Sequence, residues 1–382
     1  MRKYIPFAFY FLFYVAQAAY MPYLVLYFQS LQFNGPQIGI LTSLSPLLMM
    51  VGMPLWTGLA DATHRHRLIM SIGILVAIGV GLLMPHSTTF LPVLLLVIVF
   101  SLFGAPVSSF ADTATMTMLG ERKELYGRLR LGGTFGWGIA SLVFGTLIEQ
   151  HGLRLAFYLF AAGNFLVLLI SQGLTYSRNI SGSSILSGAR RLLTSRRYVI
   201  FLLMALVSGI GLSSANYYLF PYMAELNATK SAMGLAQTIA TISELPVLLV
   251  SPRLLKRLKP HGMLVLGMAF TVLRLLLYAA IRTPQAVLVS QLMNGLTYAL
   301  IWVAGVSYAD QSAPPGMSAS AQGLFGATIF GIGAAIGSFA GSLLLEALGG
   351  RGMFGVMGLF MLLSLGVLLG VEKMPGINSR AR

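Results

Sequence analysis

Cysteine is absent from the chain, and charged residues are scarce. The missing thiols exclude disulfides and thiolate metal sites. Charged residues make up 9% of the 382 residues, against roughly a quarter in soluble domains. Because 57% of the residues are hydrophobic and the mean hydropathy is +0.81, the composition excludes an ordinary soluble domain.

The apolar residues occur in long, unbroken runs. A helix that crosses a bilayer needs about 20 such residues, whereas a membrane barrel shows short alternating segments. The runs therefore predict an all-α integral membrane protein with twelve transmembrane helices in two six-helix bundles. The predicted spans are 4–28, 38–60, 68–84, 91–117, 128–149, 153–175, 199–223, 232–255, 263–281, 286–309, 318–346 and 352–371.

The basic residues are unevenly distributed between the loops. Of the 25 Lys and Arg residues, 20 lie at the termini or around the loops that follow even-numbered spans. Cytoplasmic loops carry such an excess, so we expect both termini in the cytoplasm. The net charge of +15 then reflects membrane orientation and contact with anionic lipid, and we expect no nucleic-acid partner.

The two halves of the sequence echo each other. Phe110-Ala111-Asp112 returns as Tyr308-Ala309-Asp310 after 198 residues, and a polar stretch rich in Ser, Gly and Arg lies between the halves. Predicted spans 5 and 11 are both rich in glycine, which favours close helix packing. We predict an N-terminal bundle at 1–177, a cytoplasmic linker at 178–197, a C-terminal bundle at 198–375 and a tail at 376–382.

Two predicted hairpins each place an acid and an arginine at matching depth in the membrane. Asp112 and Arg130 lie nine residues either side of Glu121, and Glu244 and Arg274 lie fifteen residues either side of Lys259. Charges in hydrocarbon are costly and persist where they pair or line an aqueous path. The four residues are therefore functional candidates, with purely structural ion pairs as the alternative.

Twelve spans, a six-plus-six repeat and a basic central linker resemble the major facilitator superfamily. The resemblance implies a secondary transporter that binds its solute near the midplane between two rocking bundles. The segment Tyr126-Gly127-Arg128-Leu129-Arg130 is similar to the start of the fifth span in the lactose permease and phenylpropionate permease families. Those families carry an acid eighteen residues before the arginine, and lactose permeases carry a tryptophan seven residues after it. The resemblance thus makes Asp112, Arg130 and Trp137 substrate-binding candidates.

The second half resembles the same families in Glu244 and Arg274, with one departure. Where those families place a histidine, and lactose permease a further glutamate, this chain has Asn294 and Thr297. Proton coupling must then run through Glu244 or Asp112, or be absent. We expect Glu244 and Arg274 to neutralise each other in the empty protein. Gln291, Asn294 and Tyr298 form a polar stripe that faces either a substrate cavity or a neighbouring helix, and both remain open.

Other candidates carry weaker signals. Gln17 and Tyr20 on predicted span 1, with Asn216 on span 7, are further substrate-binding candidates. The loop from Gly58 to Arg67 resembles the superfamily's gating loop, which implies gating roles for Asp61, Arg65 and Arg67. His64 and His66 lack the further ligands that a metal site needs, so no metal is predicted.

Together these features favour a small-molecule symporter of the inner membrane, a multi-pass monomer in the lipid bilayer, with the proton gradient as driving force and no cofactor. Two intramembrane arginines favour an aromatic carboxylate as solute, with a glycoside or nucleoside close behind. An exporter of the same fold and a non-transporting receptor remain alternatives. An integral-membrane enzyme is disfavoured because no histidine lies beside a candidate nucleophilic serine.

Overall fold

The computed structural model describes residues 4–176, 192–314 and 317–372. Within these residues the chain is helical and forms no strand. Ten of the described helices are long and apolar enough to cross a membrane. In chain order, α1 to α10 are Ile5–Ser30, Gly35–Thr63, His66–His86, Phe90–Leu119, Lys123–His151, Arg154–Ser171, Arg196–Glu225, Lys230–Ala280, Pro284–Ser312 and Ser318–Val371.

Two of these helices are about twice as long as one crossing requires. Helix α8 has 51 residues and α10 has 54, whereas a single span needs about 20. Each contains a break in helical geometry, at Lys259 with φ 57° and at Gly349 with φ 67°. Lys259 is the residue around which the sequence predicts a turn. The two breaks fall between predicted spans 8 and 9 and between spans 11 and 12; the count of twelve crossings stays a prediction, as does the cytoplasmic placement of the termini.

The chain divides into two compact units. Unit 1 comprises Met1–Gly182 with Asn227–Ile239, and unit 2 comprises Ser183–Leu226 with Ala240–Arg382. The predicted linker at 178–197 falls mostly outside the described residues, and the predicted tail at 376–382 falls wholly outside them. The predicted bundle boundaries therefore stay a prediction.

In unit 1, helix α1 packs against α5 and α6. The contact with α5 depends on glycine, because a Cβ on Gly132 would lie 2.6 Å from the carbonyl oxygen of Phe7, and a Cβ on Gly136 would overlap that of Phe11. On the other side of α1, the ring of Tyr20 stacks on Phe160 at 4.6 Å. The glycine packing that the sequence predicts for this helix is thus confirmed.

In unit 2, helix α7 packs against α10 in the same manner. Cβ atoms on Gly333 and Gly337 would press on the carbonyl oxygens of Leu206 and Ile210. The hydroxyl of Tyr222 on α7 donates to the carbonyl oxygen of Tyr278 at 2.7 Å, which fixes the second half of α8 beside α7. This scaffold positions the charged residues of α8.

Candidate functional site

The first charged cluster lies in unit 1, at the hairpin of α4 and α5. Helix α4 ends at Leu119, before Gly120 with φ 58°, and a short 3₁₀ turn leads into α5. The tight turn brings residues at equal distances from it together, so Arg130 Nη1 lies 2.8 Å from Asp112 Oδ1. The two residues that the sequence places at equal depth therefore form a direct ion pair.

Asp112 accepts three donors on a single oxygen. Besides Arg130, the hydroxyls of Tyr10 and Tyr126 donate to Oδ1 at 2.6 and 2.9 Å. Among the described residues, none donates to Oδ2, and the Asp112 side chain is 36% exposed. The three donors fix the orientation of the carboxylate and leave Oδ2 able to accept a hydrogen bond from a solute.

Arg130 and Trp137 are joined through Tyr14 of α1. Arg130 Nη2 donates to the Tyr14 hydroxyl at 3.3 Å, and its side chain is 37% exposed. Trp137 lies two turns further along α5, half-buried, with its ring edge-to-face on Tyr14 at 6.5 Å. An accessible guanidinium and an indole on the same helix suit the hydroxyls and the flat face of a ring compound.

The second charged cluster lies in unit 2, with Glu244 on the first half of α8, Arg274 on its second half and their partners on α9. Arg274 is 3% exposed, and its guanidinium donates only to neutral groups among the described residues. Its Nε donates to the Tyr278 hydroxyl at 2.8 Å, and Nη2 donates to Gln291 Oε1 at 2.7 Å. Its Nη1 donates to Asn294 Oδ1 at 2.6 Å and to Thr297 Oγ1 at 3.2 Å. Every nitrogen of this guanidinium therefore donates a hydrogen bond within unit 2.

The expected direct pairing of Glu244 with Arg274 is wrong. No ion pair joins them in the described structure, because the amide of Asn294 lies between them. Its Oδ1 accepts from Arg274, and its Nδ2 donates to Glu244 Oε1 at 2.7 Å. Since arginine has no acceptor, it fixes which end of the amide faces it, so an N–H must face the carboxylate. Asn294 thus separates the two charges by one amide.

The helix that carries Asn294 is irregular at this point. In α9, Gln291–Met293 is a 3₁₀ turn and Gly295–Ala299 is a π-helical segment. Such segments within a helix are frequent at functional sites. Gln291 and Asn294 are buried, at 0% and 8% exposure. They make the interhelical hydrogen bonds that the sequence left open as the alternative to a cavity-lining stripe.

The remaining substrate-binding candidates lie apart from these hydrogen bonds. Gln17 is buried in α1, and Tyr20 is 3% exposed within the aromatic packing of unit 1. Asn216 is exposed on α7, and Tyr298 is half-buried with its ring 6.4 Å from Phe330. Their roles in binding stay predictions.

Most of the predicted gating loop is helical: 58–63 belongs to α2 and His66 begins α3, so the turn itself consists of His64 and Arg65. His64 adopts a left-handed conformation with φ 55°. Asp61 Oδ1 lies 2.9 Å from His66 Nε2, while Arg67 donates to the carbonyl oxygen of Leu174 at 3.0 Å and Arg65 is exposed. The carboxylate therefore meets a histidine in this loop rather than either predicted arginine.

Tyr176 follows the end of α6 and packs against this turn. Its ring stacks on His66 with the centroids 5.3 Å apart. Burial raises the pKa of the Tyr176 hydroxyl above its ordinary value of 10.0, and the nearby Arg67 opposes that rise. The hydroxyl therefore stays neutral well into the alkaline range.

Sequence reasoning missed several residues of both clusters. Tyr10 and Tyr14 reach Asp112 and Arg130 from more than a hundred residues away. Tyr278 lies one helical turn after Arg274, and that spacing was the available signal for its contact.

The fold and the two intramembrane charge clusters define a multi-pass helical membrane protein of the transporter class. Residues 7–356 match the model of the MFS_1 like family, so the chain belongs to that family of the major facilitator superfamily. The predicted resemblance to the superfamily is thereby confirmed.

Relatives and solved structures agree with this assignment. The chain is 27% identical to the maltose permease of Geobacillus stearothermophilus over 340 residues, which cover 88% of this chain and 86% of the permease. It is 27% identical over 281 residues to the multidrug resistance protein MdtG of Citrobacter koseri, covering 69% and 68% of the two chains. The crystal structure of the nucleoside transporter NupG matches with a TM-score of 0.87 at 19% identity, covering 98% of this chain and 99% of that one. That structural likeness establishes the fold.

Proposed function

We propose that this protein is a proton-coupled symporter for a neutral, hydroxyl-rich solute, a nucleoside or a glycoside. It acts as a monomer in the inner membrane, with twelve crossings and both termini in the cytoplasm. The related maltose permease is named for a glycoside, and NupG is a nucleoside transporter. These names give two solute classes that share hydroxyl groups and rings.

The observation that carries the choice of solute is the state of Arg274. A carboxylate substrate would need a guanidinium whose charge is not already neutralised and that the solute can reach. Arg130 is paired with Asp112, and Arg274 is 3% exposed and donates to four neutral oxygens. The partly exposed acceptors are instead the carboxylates of Asp112 and Glu244. An anionic solute would be repelled by these groups, whereas hydroxyl groups can donate to them. The sequence-based preference for an aromatic carboxylate is therefore set aside.

We assign solute binding in unit 1 to Asp112, Arg130 and Trp137. Asp112 Oδ2 accepts from one hydroxyl, and the free N–H groups of Arg130 donate to another. The Trp137 ring packs on the sugar or base. This division of roles follows the resemblance to the lactose permeases and needs no anionic group on the solute.

We assign the proton to Glu244. Asp112 is in direct contact with a guanidinium, so protonating it would remove the charge that Arg130 pairs with. Glu244 is in contact with a neutral amide, and Arg274 keeps its four hydrogen bonds whether or not Glu244 is charged. Loading and release of a proton at Glu244 therefore leaves the buried arginine in place.

The test is a solute panel on the purified protein in liposomes that contain a pH-sensitive dye. Nucleosides, maltose and other glycosides, aromatic carboxylates and cationic drugs are each added outside. We expect interior acidification with one of the hydroxyl-rich classes. Acidification with the aromatic carboxylates alone would overturn the solute class, and radiolabelled uptake without acidification would overturn proton symport.

An exporter of the same fold is the second candidate, because MdtG relatives named for multidrug resistance match the chain. In the same liposomes, an exporter that exchanges protons for solute would alkalinise the interior when a cationic drug is added outside. The sign of the dye signal therefore separates the two functions.

A further inference from the structure

Ser243 immediately precedes Glu244 on α8 and contacts the backbone of α9. Its Oγ donates to the carbonyl oxygen of Ala240 at 2.7 Å, one turn earlier in its own helix. The same oxygen accepts the backbone N–H of Gly295 at 3.0 Å, and the Gln291 carbonyl oxygen lies 3.3 Å away. The Ser243 hydroxyl on α8 thus forms hydrogen bonds with backbone groups of the neighbouring helix α9.

Gly295 makes this contact possible. It is the first residue of the π-helical segment, and a Cβ there would overlap the carbonyl oxygen of Ser243. The two backbones therefore approach as closely as only glycine permits. Breaks in regular helices commonly occur where a side chain inserts beside the backbone hydrogen bonds.

The two contacts between α8 and α9 involve adjacent residues on each helix. Ser243 holds Gly295, and the next residue of α8, Glu244, holds Asn294, the residue before that glycine. A shift of α9 by a fraction of a turn would break both contacts. The Ser243 hydroxyl therefore fixes the register in which the Asn294 amide faces the Glu244 carboxylate.

We propose that Ser243 is a positioning residue for proton coupling: it holds Asn294 against Glu244, so that protonation of the carboxylate is transmitted to the π-helical segment of α9. This role rests on the proposed function of Glu244 as the proton carrier. When Glu244 is charged, the Asn294 N–H and the Ser243 hydroxyl together clamp α9. When Glu244 is neutral, the charge-assisted bond weakens to an ordinary one, and the clamp depends more on Ser243.

The charged and titratable groups around Glu244 are few in the described structure. Arg274 acts on it from the second half of α8, one amide away. Tyr278 lies on the far side of that guanidinium, and α9 contributes the neutral Gln291 and Asn294. The pH response of this region is therefore assigned to Glu244.

The test compares Ser243→Ala with Ser243→Thr, which restores a hydroxyl, and with Ser251→Ala as the matched control. Ser251 lies on the same helix and donates to Leu248 one turn back at 2.8 Å. Each variant is assayed in liposomes for proton-driven accumulation across a range of pH and for solute exchange without a gradient. Deuterium exchange of the peptide that contains Gly295 reports the backbone contact directly.

We expect Ser243→Ala to lower proton-driven accumulation about fivefold, as follows from loss of one neutral hydrogen bond to the backbone of Gly295, and to flatten its pH profile. Solute exchange should stay within about twofold of the unmodified protein, and deuterium uptake at Gly295 should quicken about fivefold. Ser243→Thr should restore the pH profile, and Ser251→Ala should change none of these quantities.

The outcomes separate this role from the proposed function. Equal loss of exchange and accumulation in Ser243→Ala would show a purely structural role, and an unchanged pH profile would remove Ser243 from coupling; either result leaves symport intact. Absence of proton movement in the unmodified protein would overturn both proposals. Unchanged deuterium uptake at Gly295 would overturn the backbone contact itself.

Discussion

Replacing Glu244 with glutamine gives the sharpest test of the second cluster. Gln keeps the shape of the side chain, and its amide oxygen can still accept the N–H of Asn294, now 2.7 Å from Glu244 Oε1. A hydrogen bond to a charged group contributes about 1.5–3 kcal/mol and one between neutral groups about 1 kcal/mol. Because Arg274 keeps its four neutral acceptors, we expect Glu244→Gln to lower the free energy of unfolding by only about 1 kcal/mol.

The functional effect should be far larger than this structural one. A glutamine cannot bind a proton, so proton-driven accumulation should fall to the level of empty liposomes, while exchange of labelled for unlabelled solute persists. Asp310→Asn, which removes an exposed carboxylate near the end of α9, is the matched control and should accumulate solute normally. Parallel loss of exchange and accumulation would refute the reasoning, and normal accumulation by Glu244→Gln would move the proton to Asp112.

Three further changes test other parts of the structure. Trp137→Leu should weaken solute binding about three- to tenfold with little loss of stability, because an aromatic contact contributes about 0.5–1.5 kcal/mol beyond the effect of the apolar area it buries. Unchanged affinity in an equilibrium binding assay would remove the indole from the site. Asp61→Asn and His66→Gln should each lower the midpoint of thermal unfolding. Because the two side chains share one contact, the double variant should lower the midpoint by less than the sum of the two single effects. Simple additivity would contradict that pairing. Because the pKa of Tyr176 is raised in the folded protein, its contribution to stability is complete below the ordinary value of 10.0 and falls progressively as the pH rises above it. Tyr176→Phe should therefore show a smaller fall in unfolding midpoint between pH 8 and pH 11 than the unmodified protein.

The sequence predicted the first charged cluster well because one tight turn relates its two members. Counting residues from that turn is enough to bring Asp112 and Arg130 together, since helices of a hairpin rise at the same rate. The same count could not find Tyr10, which reaches Asp112 from α1 across 102 residues of chain. Contacts between distant helices depend on packing that a single sequence does not display.

The second cluster shows the limit of the same reasoning. Depth places Glu244 and Arg274 at one level, but it does not say which side chains turn toward each other around the helix axis. The asparagine that marks a departure from related families is the group that fills the space between them. Similarly, the sequence makes Tyr20 a substrate-binding candidate on predicted span 1, whereas its ring stacks on Phe160 within the aromatic packing of unit 1.

The burial of Arg274 has a consequence for how the chain is made. Its acceptors on α9 follow it by 17, 20 and 23 residues, so the arginine leaves the ribosome before any of them. Placing an unpartnered arginine at the centre of a membrane helix costs about 2.5–3.5 kcal/mol even during assisted insertion. The second half of α8 therefore becomes more stable in the lipid when α9 joins it, which couples the two helices during biosynthesis.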